Sequence, residues 1–368
     1  MNAAIYRKLG VRPVINAAAT LTRLGGSLIA PPAVEAMVEA AGHFIDLGEL
    51  HRGVGARLAE LTRNEAGYVS CGAAAGITLA VASCMTGTNP DLVESFPSMK
   101  GVSRTEVAIF RGHRNPYDYA ARHFGAEVVE FDATSESLRA TIGSRTACVL
   151  WFAGAHYAAG APEFAEVLEV ARNRGVPVLV DAAAQIPPIA SLWHYTAELG
   201  ADAVLVSGGK GLRGPQSSGL VLGRRDIIEG CRMHGCPNHA IGRSMKVGKE
   251  ELLGLLTAVE TALDQDETAL LAAYERTVER WIEGLRDLPG VTVTRGYPSE
   301  AGQPHGRALL RLAPDSGWTR EALVDALWDR DPRIAVGLTD DAIALNPQTL
   351  APGEDRLVLQ ALHELLRP

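Results

Sequence analysis

Residues 203–219 read AVLVSGGKGLRGPQSSG. Ala203 to Val206 form a short apolar run suited to a buried strand, and Ser207-Gly208-Gly209-Lys210 follow it. That is the position where an α/β sheet exposes its carboxyl ends and binds ligands. Two other uses of these glycines are weighed by what surrounds them. Gly209, Gly211 and Gly214 spell G-x-G-x-x-G, yet Pro215 and the strand-like segment 219–223 stand where a dinucleotide fingerprint requires a helix. A P-loop fits less well still, because Val204 occupies the place of its first glycine and Gly211 the place of its Ser or Thr. A glycine turn with a solvated lysine is the plain alternative.

Upstream, Val176-Pro177-Val178-Leu179-Val180-Asp181 is a second apolar run, ending in a carboxylate, with a helix-length segment between the two. The pattern puts Asp181 and Lys210 on neighbouring strand ends. Pyridoxal phosphate (PLP) chemistry needs this pair: a lysine to carry the aldehyde as a Schiff base, and a carboxylate to keep the pyridine nitrogen protonated. A phosphate cradle belongs to the same chemistry. Ser70-Cys71-Gly72-Ala73-Ala74-Ala75-Gly76 is a tiny-residue turn leading into the apolar helix 77–85, whose N-terminal N–H groups face outward. Its bland reading is a helix start that needs small residues for room.

A chain of 368 residues with 47% hydrophobic content suits one large domain and a smaller one. The net charge of −8 gives no general electrostatic reason to bind nucleic acid. The first twenty residues lack the apolar core of a signal peptide, and no run of about 18 apolar residues is present to span a bilayer. Five scattered cysteines, an odd number, suit reduced thiols, so a cytoplasmic location with no membrane partner is expected.

Strand-like runs 66–70, 106–110, 127–131 and 147–152 alternate with helical segments 117–124, from Ser135, and 162–174. The fold class expected is therefore α/β, a mostly parallel sheet covered by helices, with a smaller α/β C-terminal domain. A helix from Pro31 carries the apolar face Val34, Met37, Val38, Ala41 and Ile45, read as core, as is Phe44. One long helix is expected over 249–285, carrying the chain from a large domain (46–264) to a small one (1–45 and 265–368). At the carboxyl end of 106–110, the cluster Arg111 to Tyr117 offers His113 for stacking on a cofactor ring and Arg114 for an anion. Cys231, His234, Cys236 and His239 crowd into nine residues, unlike the paired spacing of structural zinc sites, so no metal is expected and a loop near the site entrance is.

The segments PVINAAATLTRLGGS, YVSCGAAAGITLA, RGHRNPYDYAARHFGAEVVEF, VDAAAQIPP, SGGKGLRGPQSSGLVLG and GRSMKVGKEELLGLLTAVE run from Pro13 to Glu260. Through them the chain resembles fold-type-I PLP enzymes of the selenocysteine-synthase-like group, and within that group its amino-sugar-acid ammonia-lyases. The resemblance implies Lys210 as the Schiff-base lysine and Asp181 as the partner of the pyridine nitrogen, with Gln185 touching the ring. It implies Ser207 and the backbone of Gly72 and Ala73 around the phosphate, and His113 against the ring. For substrate anions it implies Arg243, with Lys246 from the same or a neighbouring subunit. The activity implied is a lyase on an amino acid or amino-sugar acid, by Cα deprotonation and β-elimination, releasing ammonia and a keto acid. A transferase, racemase or aldolase would use the same carbanion. A homodimer or ring of dimers is the implied assembly. Two departures stand out. The PVIN motif begins at Pro13, so no tRNA-binding extension is expected, and Cys71 stands in the phosphate turn where relatives often carry a hydroxyl or small residue.

Overall fold

A computed structural model describes residues 4–367. Among them twelve strands form: β1 (Val14–Ala17), β2 (Ala66–Ser70), β3 (Glu106–Phe110), β4 (Glu127–Phe131), β5 (Thr146–Phe152), β6 (Val178–Asp181), β7 (Ala203–Ser207), β8 (Gly219–Gly223), β9 (Val291–Gly296), β10 (Arg307–Leu312), β11 (Arg333–Leu338) and β12 (Ile343–Leu345). The chain divides into two compact units, Ile29–Asp264 and the segment up to Leu28 together with that from Gln265 onward.

The larger unit holds a seven-stranded sheet in the order β2-β8-β7-β6-β5-β3-β4. Its strands are parallel except β8, which runs antiparallel to both neighbours. Successive side chains point to opposite faces of a strand, so an unbroken apolar run demands cover on both sides. Val107, Ile109, Cys148, Leu150, Leu179 and Leu205 pack on one face under helices Ala73–Thr86 and Arg225–His234. Ala108, Phe110, Val149, Trp151, Val180 and Val206 pack on the other with helices Leu47–Leu61 and Lys249–Asp264. The carboxyl ends of β3, β5, β6 and β7 therefore open on one edge, and β8 starts there because it runs the other way.

The smaller unit has a five-stranded sheet in the order β1-β11-β12-β10-β9. β1 is parallel to β11 and the other pairings are antiparallel. Helix Glu267–Leu285 packs Val278, Trp281 and Leu285 into its core. The buried Trp281 indole donates to the Asp355 carbonyl at 2.9 Å.

Three local expectations are corrected. The long helix is two, Lys249–Asp264 and Glu267–Leu285, because the Asp266 carboxylate accepts the Ala269 N–H and starts a new helix. Helix Pro31–Ala41 does not bury the expected apolar face: Ala33 and Ala40 are buried, whereas Val34, Val38, Phe44 and Ile45 are exposed. Close packing selects the small residues, since a β-carbon on Gly254 of helix Lys249–Asp264 would stand 2.6 Å from Met37 Cγ. Cys231 and His234 lie inside helix Arg225–His234 rather than on a loop. Among the described residues no helix is long and apolar enough to cross a membrane.

Candidate active site

Asp181 closes β6, its register partners being Phe152 on β5 and Leu205 on β7. It is buried, and its Oδ1 accepts the Ala183 N–H at 2.9 Å. Burial pushes the Asp181 carboxyl pKa up, against the Ala183 hydrogen bond and the Lys210 ammonium, which pull it down. A buried carboxylate of this kind is stabilised by a cation, which is what a pyridinium nitrogen is. Gln185, also buried, donates from Nε2 to the Ala153 carbonyl at 3.2 Å, tying the segment after β6 to the end of β5.

Lys210 sits in the loop after β7, which folds back on itself: Gly208 N–H meets the Ser218 carbonyl at 2.9 Å and Gly214 N–H meets the Gly208 carbonyl at 2.8 Å. Gly211 leaves no room for a side chain, since a β-carbon there would collide with the Ile186 carbonyl oxygen. The loops carrying Asp181 with Gln185 and carrying Lys210 are thus in backbone contact.

Ser207, Gly219 and Ser70 share one register line across β7, β8 and β2. A β-carbon on Gly219 would stand 2.5 Å from Gly72 C and 2.6 Å from Ala73 N, so the Gly72-Ala73 turn rests on the start of β8. Gly72, at φ +110°, caps the 14-residue helix Ala73–Thr86 without a side-chain acceptor, and its first N–H groups remain for a ligand. Ser207, Gly72 and Ala73 are brought together, and the fit is that of a phosphate held by backbone donors and a hydroxyl.

His113 is placed differently from its expected use against a ring. It has no exposed surface, with Phe110, Trp151, Phe152 and Tyr157 around it at centroid distances from 4.3 to 6.2 Å. Its Nε2 donates to the Tyr157 carbonyl at 3.0 Å and its Nδ1 accepts the Phe152 N–H at 3.3 Å. Burial lowers its pKa to about 4, so the imidazole is neutral at physiological pH. Sequence reasoning missed Tyr157, which follows β5 and is half-exposed. Burial, then the charges of Asp181 and Tyr117, raise its hydroxyl pKa. Its signal was its place just after the carboxyl end of a central strand.

The cations divide. Arg114 is paired with the buried Asp118 at 2.6 Å and with Glu130, so its charge is already matched by two carboxylates. Arg243 and Lys246 are exposed, and Arg243 Nη1 lies 3.8 Å from Cys236 Sγ. The segment holding them packs on the cradle helix, since a β-carbon on Gly242 would meet Leu79 Cδ2 at 2.7 Å. His234 is buried with Nε2 2.9 Å from Thr86 Oγ1, while His239 is exposed. No group of three or more His, Cys, Asp or Glu side chains suited to a metal forms among the described residues.

The class-V aminotransferase family model matches residues 115–237. Over 98% of its length the chain is 33% identical to a 5'-C-glycyluridine monooxygenase-decarboxylase from a Streptomyces species, covering 92% of that protein. Over 99% it is 31% identical to D-glucosaminate-6-phosphate ammonia lyase of Salmonella typhimurium, covering 98% of it. A solved structure of D-glucosaminate-6-phosphate ammonia-lyase superposes with a TM-score of 0.86 at 29% identity, covering 100% of this chain and 99% of that one. L-seryl-tRNA(Sec) selenium transferase of Moorella thermoacetica is 27% identical over 97% of the chain and 82% of that protein. With the Asp181–Lys210 pair and the glycine cradle in place, these likenesses settle the affiliation: the chain belongs to the selenocysteine-synthase-like family of fold-type-I, PLP-dependent enzymes.

Proposed function

We propose that this enzyme is a lyase acting on an amino acid or amino-sugar acid, removing the Cα proton and a β-hydroxyl and releasing ammonia and a keto acid. One observation carries the reading: Asp181 and Lys210 stand on adjoining strand ends beside the Ser207, Gly72 and Ala73 cradle, in a chain aligned almost end to end with an ammonia lyase. PLP held there supplies an electron sink for negative charge at Cα. Asp181 holds the proton on the pyridine nitrogen. Lys210 takes the Cα proton and hands it to the departing β-hydroxyl, which leaves as water, and the released enamine hydrolyses to keto acid and ammonia. Arg243 and Lys246 hold the anionic groups of the substrate, while Arg114 stays with its two carboxylates. Gln185 fixes the segment next to the ring, and His113 acts through Tyr157, whose backbone it anchors. A homodimer or ring of dimers is the assembly we assign.

A second reading, oxidative decarboxylation at Cα, is favoured by the 33% identity to a monooxygenase-decarboxylase. The two separate in one experiment. A panel of D and L amino acids and phosphorylated amino-sugar acids is incubated with and without oxygen, and ammonia, keto acid, carbon dioxide and oxygen uptake are measured. Ammonia and keto acid in equal amounts without oxygen support the lyase. Oxygen uptake with carbon dioxide release identifies the second reading, and turnover only with an added keto acid identifies a transferase.

A further inference from the structure

Helix Arg320–Asp329 of the smaller unit carries Val324, Asp325 and Trp328 at spacings of three and four, hence on one face. That face, the 334–336 stretch of β11 and Arg23, in the turn after β1, line a cavity of about 220 Å³. A pocket for a drug-sized ligand is roughly 300–1,000 Å³, so this one suits a smaller molecule.

Its two charged residues are left over by the fold. Other arginines of this unit find acids: Arg7 pairs with Asp331 at 3.0 Å, Arg12 with Asp329 at 4.0 Å and Arg330 with Glu364 at 2.5 Å. Arg23 and Asp325 are both exposed, and neither has an ion-pair or side-chain hydrogen-bond partner among the described residues. They line the same cavity without closing on each other. Between them Trp328 is held from its flank: the Arg333 guanidinium lies 4.5 Å from the indole centroid, with its Nε buried and unbonded, and the Arg23 guanidinium lies 6.0 Å from the same centroid. Val324, Ile334 and Val336 complete an apolar wall.

The lining therefore offers one cation, one anion and an apolar surface. A phosphate or dicarboxylate would be drawn to Arg23 and repelled by Asp325, and a simple amine the reverse. A neutral apolar molecule would cover both charges and pair with neither, which costs free energy. A small zwitterion with an apolar group beside its charges satisfies all three surfaces.

We propose that the smaller unit binds a free α-amino acid with an apolar side chain, its carboxylate on Arg23, its ammonium on Asp325 and its side chain against Trp328. Every lining residue belongs to the smaller unit, whereas Asp181, Lys210 and the Gly72-Ala73 cradle belong to the larger one. The assignment is independent of the reaction catalysed. It is tested by calorimetric titration of the PLP-loaded protein with leucine, valine and phenylalanine, none of which carries the β-hydroxyl that the proposed elimination expels. At least one is expected to bind with a Kd below about 1 mM and to leave the cofactor absorbance unchanged. Its keto acid and its decarboxylated amine each keep one charge, and each is expected to bind about 10-fold more weakly. Arg23→Gln and Asp325→Asn, both at exposed positions, are each expected to weaken the amino acid by about 10-fold with an unchanged circular dichroism spectrum. No binding up to about 10 mM overturns the proposal, as does a keto acid bound as tightly as the amino acid or a pair of variants that bind like wild type. A change in cofactor absorbance that persists in Arg23→Gln also overturns it, by placing the amino acid at Lys210, and leaves the lyase reading standing.

Discussion

Gly219 and Gly72 touch backbone to backbone: a single methyl group on Gly219 would stand 2.5 Å from the Gly72 carbonyl carbon. The antiparallel strand β8 therefore acts as the floor under the turn proposed to receive the phosphate. Gly219→Ala is expected to lift that turn, weakening PLP binding at least 10-fold and costing about 1–3 kcal/mol of stability through overpacking. Fluorescence titration of the apoprotein with PLP measures the first effect, and an unchanged Kd would remove the cradle assignment.

Asp181→Asn and Arg243→Ala are expected to fail in different ways. The amide keeps the shape but not the charge that holds the pyridine proton, so kcat falls on the order of 100-fold or more, while KM changes little. Loss of the Arg243 guanidinium removes a charge-assisted contact at an exposed position, so KM rises roughly 10-fold with a smaller change in kcat. Steady-state kinetics on the substrate found by the panel separates them. A wild-type KM for Arg243→Ala returns that arginine to the surface.

His51 predicts a pH dependence of folding. It is buried and stacked on Tyr68 at 5.3 Å, and neither ring nitrogen has a hydrogen-bond partner. Burial, with the Arg232 charge, lowers its pKa from 6.5 to about 4, and burial lowers His113 and His234 to about 4 as well. For a base with a depressed folded pKa, stability is complete above the unfolded value. It is lost as pH falls from about 6.5 towards 4, because the unfolded chain takes up protons that the fold refuses. Urea midpoints at pH 7, 5.5 and 4.5 should fall in that order. His51→Phe, which keeps the stack, is expected to make the fall shallower by up to one proton, and an identical slope would contradict the assignment.

Asp118 predicts a fall in the same direction over a lower pH window. Burial raises its carboxyl pKa, but Arg114 at 2.6 Å and Arg122 at 3.0 Å outweigh it and hold the group below 3.8. Such a group stabilises the fold above its unfolded pKa and gives that up only as pH falls through the lower folded value. Asp118→Asn is expected to cost about 1–3 kcal/mol at pH 7, the arginines being partly solvated. The gap from wild type should hold down to about pH 4 and then narrow. Denaturant unfolding at both pH values is the check.

Much of the larger unit was legible in the chain because its strands are buried on both faces and end in chemistry. The runs 66–70, 106–110 and 127–131 coincide with β2, β3 and β4, β6 ends at Asp181, and the loop after β7 carries Lys210. What was not legible turns on choices between residues of like polarity. Ala33 and Val34 are both apolar, and only the approach of Met37 to Gly254 decides that the alanine side faces inward. Asp266 reads as one more acid on a polar helix face until its carboxylate is seen capping Ala269 N–H. His113 and Tyr157 are both plausible ring partners by position. It takes the enclosure of His113 to leave the half-exposed Tyr157 as the aromatic of the two that is open to solvent.

The contact of Gly211 with the Ile186 carbonyl has a consequence for how this enzyme can diversify. The segments proposed to grip the cofactor meet through backbone atoms at Gly211 and Gly219, where any side chain is a collision, so substitution there is expected to disturb them. Arg243 and Lys246 are exposed side chains, free to be exchanged without disturbing that frame. A tool with a welded handle and a replaceable bit can be refitted for new work by changing surface loops alone.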